Sequence, residues 1–91
     1  MYLANERLIN KINQAILNCE TFPTERVTIL RRLKRYVSHL RFEGDAYFKT
    51  CLSNDVSLAI RDPFMAPDIL MELRYRCLHV FGTSAVWVIH F

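Results

Sequence analysis

Ninety-one residues supply one modest hydrophobic core and leave no room for a second independently stable domain. A composition of 52% hydrophobic and 23% charged residues lies well away from the disordered class. Two glycines and three prolines are few breakers, which favours long helices over a meander of short strands and argues against an all-β fold.

From Asn5 to Cys19 the apolar residues Leu8, Ile9, Ile12, Ala15, Ile16 and Cys19 recur at three- and four-residue steps, with polar residues on the opposite face. Pro23 cannot continue that helix and Thr24 can cap the next one, so a short loop joins two antiparallel helices. The second helix is expected over 24–42. Ile29, Leu30, Leu33, Tyr36, Val37 and Leu40 share one side, while Arg31, Arg32, Lys34, Arg35, His39 and Arg41 share the other. Arg26 and Val27 stand outside this pattern, in the first turn. Gly44 reads as a left-handed stop and Asp45 as the cap of a third helix carrying Tyr47, Phe48, Cys51, Leu52, Val56, Ala59 and Ile60. That helix has a candidate break at Ser53-Asn54-Asp55. Asp62-Pro63 and Ala66-Pro67 bracket a loop in which Phe64 and Met65 are expected to plug the core. A fourth helix follows, with Asp68 in its first turn, Ile69, Leu70, Leu73, Cys77, Val80 and Phe81 inward, and Gly82 at its end. No internal repeat is read from the sequence.

The last residues, 85–91, are β-branched and aromatic and suit a strand. A strand there has to pair with residues 1–3, pair with another chain, or give way to an irregular apolar tail over the helices. Trp87 and Phe91 in this segment either fill the core or anchor an interface, a homodimer across paired strands being one form of the latter. The uncharged stretch from Cys77 is shorter than a membrane span and is interrupted by Gly82. Cys19, Cys51 and Cys77 form no Cys-x-x-Cys pair and are expected to be reduced and mostly buried. With no secretory leader in the N-terminal residues, a cytoplasmic location is expected. The fold expected is thus a small all-α bundle of about four helices with a short apolar C-terminal segment.

Catalysis finds little support. Cys51 with His39, or Ser53 with Asp55, lacks a visible orienting group or oxyanion loop, and Glu43 and Asp45 are explained as a helix stop and a helix cap. Cys77-x-His79 has no spacing that supports a metal site, and no cofactor motif is present. The basic face of the second helix is the feature with functional reach, since its cations suit carboxylates and phosphates alike. Two functions are therefore expected in competition. One is a small regulatory or adaptor protein that binds an acidic protein partner through a helical face, with Trp87 and Phe91 as further contacts. The other is a nucleic-acid binder of low sequence specificity that uses the same helix.

Overall fold

The computed structural model describes residues 3–43, 46–83 and 88–90, with side chains over 6–40 and 47–80. Four helices, α1 (Leu3–Thr21), α2 (Arg26–His39), α3 (Ala46–Arg61) and α4 (Ala66–Thr83), run up and down. Each packs on two neighbours, α1 on α2 and α4, and α3 on α2 and α4. The fold is a small all-α bundle. Its core draws on every helix, with Leu8, Ile12, Leu30, Leu40, Leu52, Val56, Leu70 and Cys77 all removed from solvent. At about 25 cal/mol per Å² of apolar area, burying such side chains is the main force holding the four helices together.

Both helix-to-helix turns are built alike. Pro23–Glu25 and Pro63–Met65 are single turns of 3-10 helix, each preceded by a residue in the same non-helical conformation: Phe22 (φ −124°, ψ 72°) and Asp62 (φ −129°, ψ 74°). A residue before proline is driven from the α region by the pyrrolidine ring, so α1 and α3 have to end there. The hydrogen bonds match as well. Phe22 N–H donates to the Asn18 carbonyl (2.8 Å) and Glu25 N–H to Phe22 (3.0 Å), as Asp62 N–H donates to Leu58 (3.0 Å) and Met65 N–H to Asp62 (3.1 Å).

This likeness extends through the core and corrects the reading that the chain has no internal repeat. One constant interval carries the buried residues Leu8, Ile12, Ile16, Cys19, Leu30, Leu33 and Val37 of the first hairpin onto Phe48, Leu52, Val56, Ala59, Leu70, Leu73 and Cys77 of the second, all buried too. Pro23 with Pro63, His39 with His79, and Ile29-Leu30-x-x-Leu33 with Ile69-Leu70-x-x-Leu73 are the identities in the sequence that carry it. The bundle is two helical hairpins of one pattern packed face to face.

Several boundaries differ from the periodicity. α2 stops at His39, because Leu40 turns extended (ψ 141°) while its side chain stays in the core, and Arg41–Glu43 form a strand, β1. Val88–His90 form the second strand, β2, and pair antiparallel with β1 in the register Arg41 to His90, Phe42 to Ile89 and Glu43 to Val88. The C-terminal strand therefore finds its partner inside the chain, at a segment assigned to helix from sequence. Lys49 explains how α2 can end there: its Nζ donates to the carbonyls of Ser38 (3.1 Å) and Leu40 (2.7 Å), adding a cation and two donors to a helix C-terminus where the Leu40 N–H already caps the Val37 carbonyl. Gly44, Asp45, Trp87 and Phe91 lie outside the described residues. α3 runs without a break through Ser53-Asn54-Asp55, and α4 continues past Gly82 to Thr83.

Phe64 and Met65 do not plug the core. They are 82% and 39% exposed, since the core beneath the turn is closed by the fully buried Ala66. Arg26, the first residue of α2, turns inward and bridges the hairpins. Its Nε donates to the Cys19 carbonyl (2.7 Å), and Nη1 donates to those of Pro63 (3.1 Å) and Phe64 (3.3 Å). Both turns therefore lie at one end of the bundle, fastened to each other.

Candidate functional site

Five of the six polar residues assigned to one face of α2 lie in that helix, and they separate into two sets once α1 and α3 are in place. At about 100° per residue, Arg32, Arg35 and His39 fall toward α1 and Arg31 and Lys34 toward α3. All five are exposed, and among the described residues none has a carboxylate within ion-pair distance. Arg41 belongs to β1, and the side chains of that strand are outside the description.

Arg32, Arg35 and His39 form one wall of a groove of about 450 Å³ between α1 and α2. Ala15, Ile29, Leu33 and Tyr36 make its floor, and Lys11, Gln14 and Asn18 of α1 line the facing wall. Among the described residues no carboxylate lines it. Lys11 reaches over the Tyr36 ring, its Nζ 5.6 Å from the centroid, a cation against the negative face of an aromatic ring. Burial pushes the Tyr36 hydroxyl above its ordinary pKa, with the Arg7 guanidinium opposing, so the floor stays neutral. Sequence reasoning missed Lys11, Gln14, Asn18 and Tyr36 as groove residues. Periodicity puts each on its own helix but gives no sign of which helices pack side by side.

The second hairpin has a groove in the corresponding place, between α3 and α4, with other chemistry. Phe48, Leu52, Leu73 and Val80 line it with Tyr47, Cys51, Tyr75 and His79. Its cation is neutralised: Arg76 pairs with Asp55 (2.9 Å) and with Glu72 (3.2 Å). Burial pushes the Asp55 carboxyl up from its ordinary pKa, Arg76 pulls it down, and Glu72 adds to the rise. Thus the position of Arg32 is taken in the second hairpin by Glu72, beside the groove, and that of Arg35 by Tyr75, which lines it. Equivalent positions give one cationic groove and one aromatic, charge-balanced groove.

Cys51 and His39 lie in different grooves, and Cys77 and His79 differ in burial. His39 lines the first groove and Cys51 the second. Cys77 is buried while His79 is exposed, and among the described residues no group of three His, Cys, Asp or Glu side chains could hold a metal ion. Burial, with the Asp55 carboxylate adding to it, pushes the Cys77 thiol up to about 12, and burial also raises Cys19. Only Cys51 is half-exposed. An aromatic disulfide reagent at about pH 8 should accordingly modify Cys51 first, with Cys19 and Cys77 following at the rate of unfolding, because the thiolate is the reacting form. Three equally fast thiols in the native protein would contradict this packing.

Among the described residues no helix is long and apolar enough to cross a membrane. Compared with models of protein families, with curated proteins and with solved structures, the chain matches none.

Proposed function

We propose that this chain is a small adaptor that holds an acidic, amphipathic segment of a protein partner in the α1–α2 groove. The observation that carries the reading is the combination of an apolar floor (Ile29, Leu33, Tyr36) with cations on both walls (Lys11, Arg32, Arg35) and no carboxylate among the lining residues. A phosphate backbone gains from the cations and nothing from the floor, whereas a helix with one apolar ridge and acidic flanks gains from both. From Ile29 to His39 the groove follows about three turns of α2, roughly 15 Å, enough to seat apolar residues at i, i+4 and i+7 of such a ligand. Charge sets the encounter rate and the floor sets the lifetime. The chain acts by binding, without catalysis or a cofactor, and in the cytoplasm.

Low-specificity nucleic-acid binding is the second reading, favoured by Arg31 and Lys34, exposed cations that the groove leaves unused. Anisotropy titration separates the two, using a labelled three-turn helical peptide with a leucine ridge and glutamate flanks beside labelled duplex and single-stranded oligonucleotides. The peptide is expected to bind, and Arg32→Glu with Arg35→Glu to weaken it about tenfold or more, the 1.4 kcal/mol or so that reversing two wall charges removes. Arg31→Glu with Lys34→Glu should change it far less. Oligonucleotide binding with a steep linear fall in log salt, and no peptide binding, would put nucleic acid first.

A further inference from the structure

The turn end of the bundle has the chemistry that the α1–α2 groove is built to hold. Phe22 and Phe64 stand 49% and 82% exposed there, beside the 39% exposed Met65. Around them lie the carboxylates of Glu20, Glu25, Asp62 and Asp68, all exposed. The cations nearby are few: Arg26 is committed to backbone carbonyls of both turns, which leaves Arg61. This end is an acidic rim around an apolar knob, and the groove is a cationic rim around an apolar floor. Proline in each turn and the Arg26 bridge hold the knob in one shape, so little ordering is needed when it docks.

We propose that the turn end of one copy, led by Phe64, seats in the α1–α2 groove of a second copy. The proposal rests on the groove reading given above and adds the occupant. Phe64 and Met65 enter over Ile29 and Tyr36, and the carboxylates around them meet Lys11, Arg32 and Arg35. Knob and groove are different surfaces of the molecule, so the contact is heterologous, and copies add head to tail with one knob and one groove left over at the ends. An acidic partner and a second copy compete for one groove. Self-association therefore masks the groove at high concentration, and an acidic partner dissolves the assembly.

Two variants that change only exposed side chains test this. One removes the knob (Phe64→Asp) and the other reverses the groove wall (Arg32→Glu with Arg35→Glu), each checked for native helicity by circular dichroism. Sedimentation equilibrium from micromolar to submillimolar protein is expected to show wild type rising in mass with concentration, the rise being suppressed by salt. Each variant alone should self-associate at least about tenfold more weakly. Mixed one to one, they should form a complex that stops at two chains, because the intact groove of the knob variant takes the intact knob of the wall variant. Glu20→Lys with Glu25→Lys is a second knob variant and should behave like the first. Wild type that stays monomeric throughout, a knob variant that assembles like wild type, or a mixture that does not associate would each overturn the proposal. The acidic peptide separates it from the adaptor reading. Peptide binding by a wild type that never self-associates removes only this inference. Association of the mixed variants with no peptide binding by any form removes only the adaptor.

Discussion

Leu30→Ala and Leu70→Ala are each expected to lower the unfolding free energy by about 2–5 kcal/mol, the range for leucine truncation in a close-packed core. The two side chains occupy corresponding positions in the two hairpins, and both are completely buried. Each truncation forfeits the transfer energy of the deleted atoms and leaves a cavity that neighbouring helices, pinned by turns at one end and by Lys49 at the other, close only in part. A domain of this size has about 5–15 kcal/mol in total, so the double variant should be largely unfolded. Leu58→Ala and Leu78→Ala, at sites 44% and 50% exposed, are the controls and should stay within about 0.5 kcal/mol of wild type. Urea denaturation followed by circular dichroism checks all of these, a shifted midpoint with unchanged slope marking a true change in stability. If Leu30→Ala proves severe and Leu70→Ala neutral, the halves do not share one core and the repeat is only a likeness of backbone.

What could be read before folding was each helix's inward face. Leu8, Ile12, Cys19, Leu30, Leu33, Val37, Leu52, Val56, Leu70, Leu73 and Cys77 were all placed inside by spacing, and all are buried. The errors have a common physical origin, in interactions between residues far apart in sequence. α2 was extended into residues 40–42 because Leu40 continues the apolar stripe. It ends at His39 because Lys49 and a strand near the C-terminus satisfy the backbone that follows. α3 was given a break at Ser53-Asn54-Asp55 from three residues of low helix propensity, yet Arg76 of α4 holds Asp55 in place and the core holds its neighbours Leu52 and Val56. The cations were legible as residues and not as a site. Arg32 and Arg35 share α2 with Ile29, Leu33 and Tyr36, but the groove closes only when α1 brings Ala15 to the floor and Lys11, Gln14 and Asn18 to the facing wall, which helical periodicity cannot show. The repeat was legible in Ile-Leu-x-x-Leu, the two prolines and the two histidines, but a core pattern that keeps hydrophobicity while exchanging Leu8 for Phe48 and Val37 for Cys77 conceals itself from a search for identical residues.

Arg26 is where the likeness of the hairpins is deliberately broken, and its removal carries the second large expected effect. The corresponding position in the second hairpin is Ala66, fully buried, so one long side chain crosses between the turns and none comes back. Its guanidinium satisfies the Cys19 carbonyl, an acceptor in the last turn of α1, where the helix dipole favours a cation and α1 supplies none of its own. It also satisfies two carbonyls of the other turn. Arg26→Ala should cost about 2–3 kcal/mol, since hydrogen bonds from a charged donor are worth roughly 1.5–3 kcal/mol and part of the exposed set is recovered by water. Arg26→Met keeps the stem's packing and should recover only a fraction of the loss. Arg26→Lys keeps the charge but presents a single ammonium where the carbonyls are reached by a planar fork, and it too should fall well short of wild type. Hydrogen exchange gives the reading that a simple packing defect would not. The amides of Asp62, Met65 and Ala66, far from position 26 in sequence, should lose protection together with those of Phe22 and Glu25, while amides at the Lys49 end change only as global stability falls. Full recovery by Lys would assign the effect to charge alone, and undisturbed exchange at Asp62, Met65 and Ala66 would mean that the two turns are held together by the core and not by this side chain.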